Sequence, residues 1–174
     1  AVYADGVQRR APSLGVVSGT STSNDSVTVH GRATGGSGGS SESGQAGNGA
    51  SISLVDAVAG TTVGSLSLTQ EAVGGTAGST YTGAGGLAGE AKSQLESTVD
   101  WLGWLSITAR ALAGNGGDRY DSAGSATDGA AATVRAVAAN PGGETYSTGI
   151  ATGGTGGGGR APEHLVGNDH RGEM

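Results

Sequence analysis

The residues that could carry chemistry in this chain lie in glycine-rich segments. Residues 35–39, Gly-Gly-Ser-Gly-Gly, match the G-x-S-x-G nucleophile elbow, in which a strained strand-to-helix turn exposes the serine, here Ser37. Residues 154–159 match the dinucleotide-binding pattern G-x-G-x-x-G, which needs a helix whose N-terminus faces the pyrophosphate. No helix pattern follows either segment, and 37 glycines in 174 residues make chance matches frequent. We therefore expect glycine loops here, with no catalytic residue, no cofactor-binding residue and no enzymatic activity.

Residues 114–121, Gly-Asn-Gly-Gly-Asp-Arg-Tyr-Asp, are the candidate for a metal site. They resemble one calcium-binding nonapeptide of the RTX type, and Asp118 and Asp121 are the weak calcium candidates. RTX sites need stacked copies, whereas the equivalent segments here lie about 39 residues apart and carry Ser40, Ser79 and Gly158 where Asp118 stands. A solvated loop is therefore the favoured interpretation, and residues 163–170, with two histidines and two acids, are interpreted as a polar tail.

The elements that position these segments come from an internal repeat. Glycine landmarks recur at Gly36, Gly75, Gly114 and Gly154, a period of about 39 residues in four copies. A fixed period of this length is typical of repeat architectures. Tyr81 and Tyr120 also occupy one repeat position in the loops, so we expect both rings to cover glycine backbone in the same way.

Each repeat contains two strand-like patterns of alternating side chains. They predict strands at residues 26–34, 63–73, 104–112 and 144–152, returning strands at 50–59, 90–101 and 130–138, and a short strand at 13–18. An amphipathic helix with Leu95, Val99 and Leu102 on one face is the alternative for 90–101. The strand is favoured there because the repeat places a strand in that slot, with Trp101 in the core beside Val99.

Loop lengths suggest how these strands connect. Glycine loops of about 15 residues alternate with turns of about 3 to 5, which predicts antiparallel strands with all glycine loops at one end. The predicted fold is an all-β antiparallel up-and-down β-sandwich or barrel of about four 39-residue two-strand repeats. The alternative is a β-solenoid with one repeat per coil. The predicted organisation is an N-terminal arm and linker (residues 1–25), a repeat β-domain (26–159) and a C-terminal tail (160–174).

Composition excludes several classes of partner. The net charge is −6 and Lys92 is the only lysine, which argues against a basic groove for nucleic acid. No apolar run approaches the roughly 18 residues of a membrane span, and the absence of cysteine excludes disulfides and thiolate metal sites. An N-terminal Ala in place of Met fits removal of a secretory signal, or a fragment of a longer protein. We therefore expect an extracellular or cell-surface location and no cofactor.

The repeats have a family resemblance. Strands of alternating Ala, Thr and Val followed by Gly-Gly-x-Gly-Gly, at residues 33–39, 72–78, 111–117 and 151–157, resemble the tandem repeats of exported bacterial surface proteins of the PEP-CTERM-sorted type. The resemblance implies a cell-surface or matrix role without chemistry. The tail departs from that family because it has no Pro-Glu-Pro motif followed by a hydrophobic anchor.

The expected function follows from a thin core. Aromatic residues make up only 3% of the chain, and glycine loses the most entropy on ordering, so we expect neighbouring copies to pack against the glycine tracts. The prediction is a structural subunit that self-assembles into an extracellular filament, sheath or surface layer. Val2, Tyr3 and Val7 would add a strand to a neighbour's sheet, and Trp104 would be an interface anchor. The alternative is an adhesin or carbohydrate-binding β-module with surface glycans as partners.

Overall fold

The computed structural model describes residues 11–101, 103–121 and 125–159, which form a β-solenoid of about three coils. Every element in these ranges is a strand, so the all-β prediction is confirmed, and the ranges contain no helix that could span a membrane. The strands are β1 (Val17–Thr20), β2 (Val27–Thr34), β3 (Ile52–Val55), β4 (Val58–Thr61), β5 (Ser65–Val73), β6 (Ala91–Thr98), β7 (Trp104–Leu112), β8 (Ala132–Ala139) and β9 (Glu144–Thr152).

Strand pairing in the described ranges is parallel and joins equivalent positions of successive repeats. β2, β5, β7 and β9 form a four-stranded sheet, β3, β6 and β8 a three-stranded sheet, and β1 and β4 a two-stranded sheet. Val29 pairs with Leu68, Leu68 with Ile107, and Ile107 with Ser147. The predicted antiparallel up-and-down sandwich or barrel is therefore wrong, and the β-solenoid alternative is supported.

The correction has a physical reason. Alternating strands separated by loops look the same in sequence whether each strand pairs with its chain neighbour or with its equivalent in the next repeat. Here the period returns the same apolar pattern to the same place one coil later, and the ladder hydrogen bonds follow the repeat. The glycine loops therefore connect different sheets, and the two larger sheets face each other across a shared core.

The core is formed by aliphatic side chains at the inward positions of these two sheets. Leu66, Leu95, Leu105 and Ile107 have no exposed surface. Trp101 packs against this cluster together with Val99, as their alternation predicted. Toward the glycine loops the inward side chain is alanine in most strands, namely Ala33, Ala72, Ala111 and Ala91, whereas β3 has Ile52 there. We infer that the smaller side chains let the two layers converge until backbone meets backbone.

The first coil contains a bend that the sequence did not indicate. Predicted strand 50–59 is two strands, β3 and β4, because Asp56 between them has a positive φ of 46°. Aspartate tolerates this left-handed region better than most residues. The other predicted strands are present with shifted ends, and 90–101 contains strand β6, so the helix alternative there is wrong.

The glycine loops stack into a feature that we call the glycine arm, made of residues 35–51, 74–90, 113–121 with 125–131, and 153–159. Within the outgoing leg, hydrogen bonds to the next coil recur at every third residue: Gly35, Gly38 and Ser41 donate to Val73, Thr76 and Ser79 at 2.8–3.0 Å. Three residues per turn is the repeat of polyproline II, an extended helix with no internal hydrogen bonds. The legs therefore depend on neighbouring legs for their backbone hydrogen bonds.

Glycine is required where the outgoing and returning legs touch. Ala50 N donates to Gly36 O, and Gly75 N donates to Ala50 O, both at 2.9 Å. A Cβ on Gly75 would lie 2.2 Å from Gly36 O of the preceding outgoing leg and 2.8 Å from Ala50 N of the returning leg, so a side chain would force these segments apart. No described glycine has a positive φ, so close approach is what requires glycine here. Hydrogen bonds within one chain therefore already join these tracts, and the packing of neighbouring copies against them stays a prediction.

The opposite ends of the coils are joined by a repeated side-chain bond. Thr62, Trp101 and Asn140 occupy equivalent positions of successive repeats. Each donates a side-chain hydrogen bond to a turn carbonyl of the preceding coil: Thr62 Oγ1 to Asp25 O at 2.7 Å, Trp101 Nε1 to Gly64 O and Asn140 Nδ2 to Gly103 O, both at 3.0 Å. Three different residue types therefore make the same hydrogen bond between coils. Because the three side chains differ, the sequence did not indicate this repeated bond.

Candidate functional site

The tips of the glycine loops stack into a further row of parallel pairings. Ser41 pairs with Thr80, Thr80 with Arg119, and Arg119 with Gly159. In the first two coils a hydroxyl of this row accepts a hydrogen bond from a glycine three residues later, because Gly44 N donates to Ser41 Oγ and Gly83 N to Thr80 Oγ1, each at 3.0 Å. The tip turn therefore repeats, and it presents the next residue, Tyr81 in the second coil, to solvent.

Two tyrosines stand on this tip, one coil apart. Tyr81 N donates to Ser41 O at 3.3 Å and Tyr120 N donates to Thr80 O at 3.1 Å, so both residues are held by the coil beneath them. Tyr81 is 55% exposed and Tyr120 is 50% exposed. Both line a cavity of about 470 Å³, which we call the tyrosine cleft, together with Asp118, Arg119, Gly158 and Gly159.

Arg119 is held rigidly in this cleft. Its Nε donates to Asp121 Oδ1 at 2.6 Å, and its Nη2 donates to Thr82 O at 3.0 Å and to Asp121 Oδ2 at 3.4 Å. The hydrogen bond to Asp121 raises the pKa of Arg119 above its ordinary value, so the guanidinium stays charged. Sequence analysis did not single out Arg119, and its place between Asp118 and Asp121 was the signal that could have found it.

The two weak calcium candidates already have protein partners. Asp118 Oδ1 accepts from Gly158 N at 2.6 Å, and its Oδ2 accepts from the Tyr120 hydroxyl at 3.3 Å. Asp121 forms the ion pair with Arg119. Calcium takes six to eight oxygen ligands, and no group of three or more His, Cys, Asp or Glu in the described part of the chain could hold a metal ion. An adjacent guanidinium disfavours a cation further, so the arrangement favours an ion pair over calcium.

The predicted interface residue Trp104 lies on the outer face of the four-stranded sheet. It is 38% exposed and contacts Tyr146 edge-on, with ring centroids 5.7 Å apart and ring planes at 62°. Edge-to-face contact is a favoured geometry for aromatic pairs. Ile150 on the same strand as Tyr146 is 39% exposed, so this face carries apolar groups near the C-terminal coil. Its role as an interface stays a prediction.

The remaining candidates from the sequence fall into two groups. Ser37 lies exposed in the outgoing leg of the glycine arm, and residues 154–159 continue that leg in the last coil, with no helix after either segment in the described ranges. Val2, Tyr3 and Val7 lie outside the described residues, as does the polar segment 163–170. The addition of a strand by the N-terminal arm to a neighbouring copy therefore stays a prediction.

The two ends of the described solenoid are stepped. β9 lies one coil beyond β8, and no strand in the described ranges pairs with its far edge. β1 lies one coil before β4, in a different column of strands. Every residue of β9 is exposed, whereas its equivalents Leu105, Ile107, Ala109 and Ala111 in β7 are fully buried. β2 and β9 therefore each present one edge without a strand partner in the described ranges.

Comparisons with protein-family models, curated proteins and solved structures find no match.

Proposed function

We propose that this chain is a structural subunit that assembles end to end into an extracellular filament, sheath or surface layer. The observation that carries the proposal is the pair of stepped, open ends of a parallel solenoid. An unpaired strand edge is a template for another strand, and every coil within this chain already uses the same parallel pairing. Assembly by a head-to-tail contact that does not close grows without limit.

The two ends have complementary shapes. Continuing the register of the four-stranded sheet would place β2 of a second copy on β9, with Val29 of that copy beside Ser147. β1 of the second copy would then lie one coil before that β2, at the level of β9 and next to β8, the last returning strand of the first copy. The step at one end thus fits the step at the other, because each protrudes where the other recedes.

The side chains at this junction are compatible. On the outer face Ile150 would lie beside Arg32 of the second copy, and Thr148 beside its His30, so no like charges would oppose each other. On the inner face Ser147, Gly149 and Ala151 are small enough to lie beside the buried Val29, Gly31 and Ala33. Among the described residues, none of these pairs brings like charges or two large inward side chains together.

Composition and the repeat pattern support an extracellular setting for the assembly. The single lysine and the absence of cysteine suit exported proteins, and the Gly-Gly-x-Gly-Gly segments resemble those of exported bacterial surface proteins. One observation favours the alternative, an adhesin or carbohydrate-binding β-module, because two half-exposed tyrosines share a cleft at the tip of the glycine arm.

A pair of lysine variants on β9 tests the assembly. Ser147→Lys would place an inward charge at the growing edge, a device that natural sheets use against edge pairing. Thr148→Lys is the matched control, since it adds the same charge on the outward side of the same strand. We expect large rods from the intact chain and from Thr148→Lys, and monomers from Ser147→Lys, in sedimentation velocity and negative-stain images. An intact chain that stays monomeric at high concentration, or equal assembly of both variants, contradicts the proposal.

A further inference from the structure

We propose that the tyrosine cleft binds a pyranose ring of a neutral glycan. The cleft lies at the tip of the glycine arm, between the tip of the third coil and the glycines of the last coil, and none of its lining residues belongs to β1 or β9.

The cleft has the size of a small-ligand site, and part of its wall carries no side chains. Its volume of about 470 Å³ falls within the range of about 300–1,000 Å³ for ligand pockets. Gly158 and Gly159 form part of the wall, so a ligand can approach the backbone there. Parallel pairing of Arg119 with Gly159 ties this wall to the coil below and fixes its position.

The lining combines aromatic faces with hydrogen-bonding groups. A pyranose has apolar C–H faces and hydroxyls around its edge, so it can pack on an aromatic ring while its hydroxyls bond to polar groups beside that ring. Tyr81 and Tyr120 offer half-exposed rings one coil apart. Asp118 Oδ2 accepts only a 3.3 Å bond from the Tyr120 hydroxyl, so a ligand hydroxyl can share or replace that donor.

The charges in the cleft disfavour an anionic ligand. Arg119 is neutralised by Asp121 at 2.6 Å, and Asp118 adds a further carboxylate, so an anion gains little and meets repulsion. The three bonds from Arg119 to Asp121 and Thr82 O also orient it before any ligand arrives, which reduces the entropy lost on binding.

The pattern occurs once along the described solenoid. The first coil has Glu42 where Tyr81 and Tyr120 stand, and Ser40 where Asp118 stands, so only the second and third coils supply the aromatic pair and the carboxylate. The expected stoichiometry is therefore one glycan site per chain.

The test uses the Ser147→Lys chain, so that a failure of the assembly proposal does not affect this result. Cellohexaose, chitohexaose and mannohexaose are titrated by calorimetry and by saturation-transfer NMR. Inorganic phosphate and a capped apolar hexapeptide are titrated in the same way, as representatives of an anionic and an apolar ligand. We expect at least one hexasaccharide to bind at one site per chain, and neither phosphate nor the hexapeptide to bind at the cleft.

Tyrosine variants locate the binding. Tyr81→Ala and Tyr120→Ala should each weaken binding by at least about tenfold, since each removes a stacking ring. Tyr146→Ala is the matched control, because Tyr146 is equally exposed at 58% but lies on the sheet face. Tyr81→Phe and Tyr120→Phe keep the rings and should retain binding, which separates a lost contact from a misfolded tip.

Several results would overturn the site. They are no binding of any of the three hexasaccharides, binding that survives both cleft alanine variants, and equal loss in Tyr146→Ala. Tyrosine-dependent binding of phosphate or of the apolar peptide in place of the sugars would also overturn it.

Discussion

Replacing Gln70 by leucine should destabilise the solenoid, because this side chain supplies hydrogen bonds at the bend between β3 and β4. Gln70 has no exposed surface. Its Oε1 accepts from Ala57 N at 2.6 Å, and its Nε2 donates to Ser93 Oγ and Gln94 O at 3.0 Å and to Leu54 O at 3.3 Å. Leucine has a similar volume and makes none of these bonds, so the substitution isolates the polar contribution.

The magnitude follows from which groups lose their partner. Gln94 O keeps its bond from Asp56 N at 2.9 Å, and Ser93 Oγ keeps its bond to Gln70 O at 3.4 Å. Ala57 N–H loses the acceptor that Gln70 provided, and an unsatisfied buried donor costs about 1–3 kcal/mol. We therefore expect a loss of about 2 kcal/mol, which lowers Tm by about 4–8 °C for a chain of this size.

The assay is urea unfolding followed by far-ultraviolet circular dichroism, with thermal melts in parallel. Gln94→Leu is the matched control, because it makes the same chemical change at an outward, part-exposed position of β6. We expect the control to stay within about 0.5 kcal/mol of the unmodified chain. If Gln70→Leu is as stable as the unmodified chain, the bend does not depend on this side chain and the reasoning is refuted.

Three further predictions concern the arm, the turns and charge. Gly75→Ala should cost about 3 kcal/mol in unfolding free energy, since its Cβ would clash with Gly36 O at 2.2 Å, whereas the exposed Thr76→Ala should cost under about 0.5 kcal/mol. Trp101→Phe should cost about 1 kcal/mol by losing the bond to Gly64 O, and Trp104→Phe, which loses no such bond, should cost less in the same urea titration. Assembly of chains with a net charge of −6 should increase with salt in sedimentation, because salt screens their mutual repulsion.

The strands could be predicted from the sequence because alternation records burial directly. The alternation in residues 26–34 puts Val27, Val29, Gly31 and Ala33 on one face of a strand, and the last three are buried in β2. The slot at 90–101 was assigned by the repeat against a local helix pattern, and β6 confirms that assignment. The local pattern allowed a helix at 90–101, whereas the 39-residue period predicted a strand. The period was right because the strands of the neighbouring coils determine where β6 pairs.

Strand direction could not be predicted in the same way. A strand carries one alternation whether its partner is antiparallel or parallel, so residues 26–34 and 50–59 look the same in a hairpin and in a solenoid. Loop length favoured hairpins, yet the glycine loops are paired backbone legs and not free connections. The bonds of Gln70 and the tyrosine cleft also join residues from different coils, so they become visible only when the coils are stacked.

The glycine content that suggests disorder is what permits order in the arm. Consecutive amides there take three different partners: Gly116 N donates to Thr155 O of the next coil, Gly117 N to Thr127 Oγ1 of the returning leg, and Asp118 N to Ser79 Oγ of the coil below, at 2.7–3.1 Å. A three-residue turn needs such partners in three directions, and the close approach across the legs leaves no room for a side chain at Gly116, whose Cβ would lie 1.9 Å from Thr127 O.

The amides in the third direction point outward from the glycine arm, and side chains of the preceding coil accept their hydrogen bonds. Outward amides of the arm are capped in this way at 2.6–3.1 Å by Asn48, Ser51, Ser79, Asn115 and Asp118. An amide that already has an acceptor cannot pair with the leg of another copy, so capping disfavours lateral association of arms. The edges of β2 and β9, in contrast, have no strand partner in the described ranges. Capped sides and open ends together favour growth along the solenoid axis, which is the direction that the proposed filament requires.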